Sequence, residues 1–171
     1  MQIGEIHMRL YFKQARRSID RLFGRGMSHN KKEYEVVNEN GQILYTVYID
    51  VHRYTIYDSV GNNIANLTET FGGSNCTISG INGINGVFER MSLHANKGYK
   101  WLSAGYIFNM VDAGNFDVYK NGFHVMHITR EITLKVIDDN SNYWLDLYNP
   151  ECMLDGVIIT MCKALLSYRR S

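Results

Sequence analysis

Three stretches of the chain alternate apolar and polar residues, turn at a glycine and alternate again; they span residues 34–47, 54–67 and 116–128. Each begins with an aromatic residue that has a β-branched residue two positions later, as in Tyr34 and Val36. A period of two around a glycine turn predicts a β-hairpin. In the second arm, apolar residues are expected to point inward near both ends: Ile43 and Val47, Ile64 and Leu67, Val125 and Ile128.

The turns of these hairpins contain Gly41, Gly61 and Gly122, and the third turn is one residue shorter. Glycine at this place predicts a backbone with positive φ. Hairpins that follow one another along a chain usually pair in space. Their recurrence therefore predicts an antiparallel, up-and-down sheet.

The last apolar stretch, residues 157–166, is interrupted only by Thr160 and Lys163. It predicts a helix over residues 154–168 with Asp155 as its N-cap. Val157, Ile158 and Ile159 are β-branched, however, and would also suit a buried strand. A helix that is apolar on nearly all sides must be enclosed. The run is about half the roughly 20 residues that cross a bilayer, so protein is the expected enclosure.

Strand patterns also occur outside the three hairpins. Residues 101–110 are predicted to form a strand, and residues 132–137 and 143–148 are predicted strands on either side of a turn at 138–142. In the last of these, Tyr143, Leu145 and Leu147 are expected to share one face. The pair Asn149 and Pro150 is expected to end the sheet before the helix.

These elements bound the architecture. At roughly 12 residues per strand and turn, the chain before residue 154 holds about twelve strands. A helix is about 10 Å across, and a ring of about eight strands is already filled by its own side chains. We therefore predict a mainly β protein: a closed antiparallel barrel of about twelve strands around a buried C-terminal helix, forming one domain over residues 1–171. The alternative is a two-sheet sandwich with the helix capping one end.

The hairpin Tyr-Thr-Ile-Tyr-Asp-Ser-Val-Gly-Asn-Asn-Ile-Ala at residues 54–65, its repetition and the closing apolar helix resemble the LURP-one-related family. That family shares the tubby C-terminal-like barrel, which is also found in phospholipid scramblases. The resemblance covers almost the whole chain, while the glycine-rich residues 72–86 differ from the family pattern. It implies a twelve-stranded barrel around a buried helix, and it implies no single biochemical activity.

The composition is that of an ordinary globular protein, with 45% hydrophobic residues, 20% charged residues and a net charge of +1. The three cysteines lack a CxxC pair, which predicts buried thiols in a reducing compartment. Neither a signal peptide nor a transmembrane run is recognisable, so a cytoplasmic location is predicted. The nearly neutral charge and the lack of a recognition motif argue against nucleic acid as a partner.

Two patterns in the sequence resemble metal-binding sites, but each has a simpler structural interpretation. His124 and His127 look like a metal-binding pair, but residues three apart on a strand point to opposite faces, so no metal site is predicted. Residues 138–142 resemble a calcium loop, yet its sixth and twelfth positions are Tyr143 and Asn149 rather than Gly and Glu.

The GxxGxxG run at residues 80–86 neither follows a clear strand nor opens a helix. A hairpin turn or a flexible loop is therefore favoured over a phosphate cradle. No serine elbow, activated cysteine or carboxylate pair is found. No catalytic residue and no cofactor is predicted, and the protein is expected not to be an enzyme.

Residues 9–33 form a basic segment that contains eight Lys or Arg and only Asp20 and Glu33 as acids. The pattern predicts two short strands with a turn near Arg16 and Arg17 and a loop over residues 24–30; a short helix over 14–23 is the alternative. Within this segment the candidate ligands of an anion or a lipid headgroup are Arg16, Arg17, Arg21 and Arg25. Tubby-like barrels include phosphoinositide binders, so the resemblance supports a lipid ligand. A solvated charged face is the alternative.

Two functional hypotheses follow from these observations. The first is a binding or scaffold module that recognises anionic phospholipid headgroups or a protein partner on its outer surface. The second is a small-ligand carrier or an enzyme with a pocket at the barrel mouth, in which residues 72–86 serve as a lid. A structural or stress-related protein without a small ligand is a third alternative.

Overall fold

The computed structural model describes residues 5–16, 32–70, 74–91, 98–112, 114–131 and 142–167. These residues form twelve β-strands and one long α-helix. The strands close into a single antiparallel barrel, and the helix follows the last strand. The predicted fold class is therefore confirmed, and the two-sheet sandwich is not the architecture observed.

The strands alternate in direction and are joined mostly by short turns. Their bounds are β1 (Met8–Arg16), β2 (Lys32–Val37), β3 (Ile43–Ile49), β4 (Arg53–Asp58), β5 (Asn63–Glu69), β6 (Asn75–Gly80), β7 (Asn85–Arg90), β8 (Gly98–Trp101), β9 (Tyr106–Asp112), β10 (Asn115–Lys120), β11 (Phe123–Arg130) and β12 (Tyr143–Leu147). The helix, α1, spans Met153–Ser167.

Each strand pairs with its neighbours in the chain, and β1 also pairs with β12 to close the ring. The barrel consequently has two rims. The helix rim, where α1 enters, comprises residues 5–7, 38–43, 58–62, 81–84, 102–105, 120–123 and 148–152. The opposite rim is where β1 ends and β2 begins, with Arg16 facing Lys32 in the strand register.

The three predicted hairpins are present as β2–β3, β4–β5 and β10–β11. Their turn glycines have positive φ values of 77°, 90° and 87°. The aromatic and β-branched residues of each first arm are buried, as predicted: Tyr34 and Val36, Tyr54 and Ile56, Phe116 and Val118. The alternating pattern therefore identified the inner face of each first arm correctly.

The second arm of each hairpin contains a β-bulge that the alternation did not predict. The register slips by one residue at Leu44, Ile64 and Val125, each of which lies three positions after the turn glycine. Because the bulge reverses the parity of the strand, Ile64 and Leu67 are both buried although they are three residues apart. In the first hairpin the prediction for Ile43 is wrong: its side chain is 43% exposed, and Leu44 packs against the core instead.

Residues 101–110 form two strands and not the one that was predicted. A 3₁₀ turn at Leu102–Ala104 separates β8 from β9, and Gly105 ends it with φ 80°. The Trp101 indole N–H donates to the Asn85 carbonyl oxygen at 2.9 Å, which ties the end of β8 to β7. The sequence pattern did not predict this turn, because the apolar residues on both sides of it are also typical of one continuous strand.

The predicted terminal helix is confirmed, and a buried strand at its start is not observed. Asp155, however, is not the N-cap. A 3₁₀ turn at Pro150–Cys152 precedes α1, and the Asn149 side chain accepts a hydrogen bond from the Glu151 backbone N–H at 3.1 Å. Asp155 instead lies in the first turn of α1, where a carboxylate is favourable next to unpaired backbone N–H groups.

Some of the remaining predictions are confirmed, and others concern residues that the structure does not describe. Tyr143, Leu145 and Leu147 share the inner face of β12, and the three cysteines are buried free thiols, as predicted. The described part of residues 72–86 includes the β6–β7 hairpin. In the basic segment, β1 is the first predicted short strand, and residues 14–16 belong to it and not to the alternative helix. The turn beyond Arg16, the loop at 24–30, the strand at 132–137 and residues 138–141 of the calcium-like loop lie outside the described residues.

Candidate functional site

The barrel interior is filled by α1. From Val157 to Leu166 every residue of the helix is buried except Lys163, which is half-buried. The polar Thr160 is fully buried and donates its hydroxyl to the Gly156 carbonyl oxygen at 2.8 Å. With its polar group satisfied within the helix, this interior is a packed core, and the chemistry of the barrel lies at its wall and rims.

The helix approaches the wall closely at Gly156. A Cβ atom at this position would lie 2.7 Å from Leu145 Cδ2 and 3.1 Å from Met126 Sδ. A larger residue would push α1 away from β11 and β12. Glycine normally costs about 1 kcal/mol within a helix, so its presence here reflects this close contact.

The structure places only one of the four predicted anion-binding residues. Arg16 is the last residue of β1, on the opposite rim. Its side chain lies outside the described residues, as do Arg17, Arg21 and Arg25. The register does show that Arg16 and Lys32, which flank those residues in the sequence, are paired at this rim.

A cluster of titratable side chains on the outer wall was not predicted. The Asp117 carboxylate oxygen Oδ1 lies 3.0 Å from His124 Nε2 and 2.7 Å from His127 Nδ1. His127 Nε2 lies 3.1 Å from Asn115 Oδ1, and the Asn115 amide donates to both oxygens of Asp112. We call these five residues the His–Asp cluster.

Asn115 links Asp112 to His127. Its Nδ2 donates to both carboxylate oxygens of Asp112, and its Oδ1 faces His127 Nε2. The other ring nitrogen of His127 faces the Asp117 carboxylate. The hydrogen bonds from the Asn115 side chain and then from the Gly114 N–H lower the pKa of Asp112.

The bulge at Val125 creates this cluster. The prediction that His124 and His127 point to opposite faces is wrong, because the extra residue between them brings both to the outer face. The sequence carries a signal for the bulge: two adjacent apolar residues, Val125 and Met126, are both buried. In the described part of the chain, no group of three or more His, Cys, Asp or Glu is arranged to hold a metal ion.

The cluster continues sideways across the wall. Asp117 faces His127, His127 faces Asp146, and Asp146 faces Arg9 in successive strand pairings. The Arg9 guanidinium donates to both carboxylate oxygens of Asp146, with Nη2 to Oδ2 at 3.2 Å, which raises the pKa of Arg9. This row of polar side chains therefore joins four strands across the closure of the barrel.

A second polar contact missed by the sequence lies at the mouth where α1 enters. The Tyr106 hydroxyl donates to the Asp155 carboxylate. Burial, followed by the nearby Asp155 and Cys152, raises the pKa of Tyr106. Tyr106 also stacks on Trp101 at 5.6 Å between ring centroids. This contact fixes the first turn of α1 against β9.

The glycine-rich run at residues 80–86 has a packing explanation. A Cβ atom on Gly80 would lie 2.4 Å from the Ile64 carbonyl oxygen, and one on Gly86 would lie 2.6 Å from the Trp101 indole nitrogen. Gly86 also has φ 130°. The run thus forms a tight hairpin packed against its neighbours, and neither glycine is placed as in a phosphate-binding loop that opens a helix.

Comparisons with known proteins show the fold but no family. No family model matches the chain, and no curated protein matches it in sequence. The X-ray structure of a protein from Arabidopsis thaliana is similar, with a TM-score of 0.51 and 11% identity over 90% of this chain and 89% of that one. In the part of the chain that the structure describes, no helix is both long enough and apolar enough to cross a membrane. At this identity the likeness establishes a shared fold and says nothing about activity.

Proposed function

We propose that the protein is a non-enzymatic binding module of the LURP-one-related, tubby-like type, a single cytoplasmic domain that engages its ligand from outside the barrel. The observation that supports this is the filled interior, in which α1 is buried on nearly all sides. A barrel occupied by its own helix offers its rims and outer wall for recognition. The repeated hairpins, the closing helix and the fold shared with the Arabidopsis protein support the family assignment.

The carrier or enzyme hypothesis has less support. It needs a pocket with converging polar groups at the barrel mouth. At the helix rim, Tyr106 and Cys152 are buried, and the Tyr106 hydroxyl is bound to Asp155. On the wall, the ring nitrogens of His127 are both engaged within the His–Asp cluster. These groups stabilise the fold and are not directed at a reacting molecule.

The ligand that we propose is an anionic phospholipid headgroup, bound by the basic segment at the opposite rim. Arg16 and Lys32 are paired at that rim, and Arg17, Arg21 and Arg25 lie between them in the sequence. Clustered Lys and Arg near a membrane surface contribute about 1 kcal/mol each to binding anionic lipid. The opposite rim is therefore the face proposed to meet the membrane.

Co-sedimentation with phosphatidylcholine vesicles, with and without phosphoinositide, tests this proposal. We expect binding only to the phosphoinositide vesicles, weakened on the order of tenfold by Arg16→Ala/Arg17→Ala and reduced by added salt. The matched control is Lys100→Ala/Lys120→Ala, which removes two positive charges from β8 and β10. Negligible binding to both kinds of vesicle, unaffected by either pair of substitutions, would contradict the lipid proposal.

A further inference from the structure

The turns of the helix rim carry exposed apolar side chains. Eleven large hydrophobic residues are exposed among the described residues. Five of them lie one at each of the five turns that join paired strands on this rim: Ile43 at 43% exposure, Val60 at 79%, Ile81 at 46%, Leu102 at 61% and Phe123 at 75%. Ile6, which precedes β1 at the same rim, is 49% exposed. At the opposite rim, Val51 lies in the turn between β3 and β4, and Val111 and Trp144 each lie one residue from a strand end. We call the five turn residues the apolar crown.

Local structure does not explain the crown. Turns favour Gly, Asn, Asp and Ser, because these residues satisfy the backbone or adopt unusual φ values. In the β4–β5 turn, Asp58 accepts from the backbone N–H groups of Val60 at 3.1 Å and Asn62 at 2.9 Å. The Val60 side chain takes no part in these bonds. It projects from the tip into solvent, so that folding buries little of its apolar surface.

The five positions form one surface. Neighbouring turns on this rim are two strands apart, or roughly 10 Å at a strand spacing of about 4.8 Å. Twelve strands tilted by about 40° give a ring roughly 24 Å across, or about 30 Å with side chains, and an end face on the order of 700 Å². A standard protein interface buries about 800 Å² on each partner. The end face is therefore close in size to one side of such a contact.

The charges of this rim indicate the kind of partner. Its described acidic residues are Glu5, Glu39, Asp58 and Glu151, against Lys120 as its one described Lys or Arg. The backbone N–H of Asn62, together with the other donors of the turn, lowers the pKa of Asp58 and keeps it ionised. The Lys120 ammonium lies over the Tyr106 ring at 5.2 Å from its centroid. The surface is thus apolar with a net negative rim.

We propose that the helix rim is a docking surface for a protein partner that presents apolar side chains flanked by Lys or Arg. Apolar contacts at the turn tips and charge complementarity with Glu39, Asp58 and Glu151 favour such a partner. An anionic membrane is disfavoured, because the acidic rim would be repelled by its surface potential. The site lies at the other end of the barrel from Arg16, where the lipid ligand is proposed to bind, so the two surfaces can be occupied together.

The first measurement uses fluorescence anisotropy with two labelled helical peptides of the same amphipathic pattern, one of leucine and lysine and one of leucine and glutamate. The full-length protein is expected to bind the lysine peptide at least about tenfold more tightly than the glutamate peptide. Equal affinity for both peptides, or no binding to the lysine peptide, would overturn the proposal.

The second measurement locates the contact. Val60→Ser/Phe123→Ser is expected to weaken binding of the lysine peptide at least about tenfold, and Glu39→Gln/Glu151→Gln to weaken it and reduce its salt dependence. The control Val87→Ser/Val111→Ser removes exposed apolar side chains from β7 and β9 and is expected to leave binding unchanged. Equal loss in the control would overturn the assignment to this rim.

Two further readouts separate alternatives. Binding of the wild type to phosphatidylcholine vesicles that is lost in Val60→Ser/Phe123→Ser would show a membrane surface in place of the protein partner. Arg16→Ala/Arg17→Ala should retain peptide binding, since Arg16 is the last residue of β1, at the other rim. A failure of the phosphoinositide assay would then leave this proposal standing, and loss of peptide binding in that variant would overturn it.

Discussion

At the scale of single residues, one repeated backbone event explains the largest departure from the alternating pattern. Leu44, Ile64 and Val125 each add one residue to the second arm of a hairpin, three positions after its glycine. The extra residue lets two adjacent apolar residues face the core, as Ile64 and Ala65 do. In the third hairpin it also brings His124 and His127 to one face.

The turns before these bulges are held by side chains at matching positions. Asn38 accepts from the backbone N–H groups of Asn40 and Gln42, both at 3.0 Å, just as Asp58 accepts from Val60 and Asn62. Such bonds are the reason that Asn and Asp are favoured in turns. Asn38 is neutral, whereas Asp58 is a carboxylate. Protonation of Asp58 in acid should therefore weaken the β4–β5 turn.

Acid stability should depend on Asp58. Its pKa in the folded protein is lowered from the ordinary value of 3.8, so its contribution is present above that value and is lost as the pH falls through the lower, folded-state value. In urea unfolding between about pH 5 and pH 2, Asp58→Asn should lose less stability than the wild type, because the amide retains an acceptor without titrating.

Glu39→Gln is the control for that measurement, since it removes an exposed carboxylate from the neighbouring turn. It should lose stability with acid in nearly the same way as the wild type. If Asp58→Asn and the wild type have parallel acid profiles, the turn does not discriminate between the ionised and neutral carboxyl group.

At the scale of elements, α1 differs from a surface helix in lacking a polar face. Its buried residues point in all directions, and the half-buried Lys163 places its ammonium 5.3 Å from the ring centroid of Tyr99 and 5.6 Å from that of Phe116. Aromatic rings can accept a cation in this way. The helix is therefore enclosed by the wall even at Lys163.

Substitutions of Ile159 test that enclosure. Ile159 is fully buried, so Ile159→Ala should cost about 2–5 kcal/mol and Ile159→Asp more, because an unpaired charge would be buried. Since domains have only about 5–15 kcal/mol of stability, we expect Ile159→Asp to abolish the cooperative thermal transition. Circular dichroism during heating measures this.

The control is Val111→Asp, at a position that is 60% exposed at the end of β9. It should shift the melting temperature by only a few degrees. A cooperative transition near that of the wild type in Ile159→Asp would mean that the helix is not enclosed in solution.

At the scale of the whole molecule, wall and helix require each other. A ring of twelve strands is wider than one that wall side chains alone can fill, and α1 contacts β4, β5, β6 and β12 across it. A helix of this composition would in turn expose apolar surface on all sides without the wall. The two parts should therefore fold as one cooperative unit.

Truncation tests this dependence. A chain ending at Asn149 lacks α1 and should show no cooperative melt and strong binding of a hydrophobic dye, because the inner face of the wall would be exposed. A chain ending at Ser167 retains all of α1 and should melt like the full-length protein. A cooperative melt without dye binding in the shorter chain would show that the barrel is stable without its helix.

Much of this architecture could be read from local sequence patterns. The alternation of apolar residues and the turn glycines determined the hairpins, since both depend on period and on backbone sterics near each residue. The all-round apolar run determined that the helix is enclosed. The expected number of strands followed from the length of the chain. Closure of the ring followed because a helix that is apolar on all sides must be surrounded by strands.

The tertiary structure alone decided where side chains from distant strands meet. Asp117, His127, Asp146 and Arg9 form one row only because β1 closes on β12 and because a bulge shifts the register of β11. The apolar crown likewise consists of residues far apart in the chain that the up-and-down topology gathers at one rim. Local pattern fixes the face on which a residue lies, whereas register and closure, which depend on the whole ring, determine its neighbours.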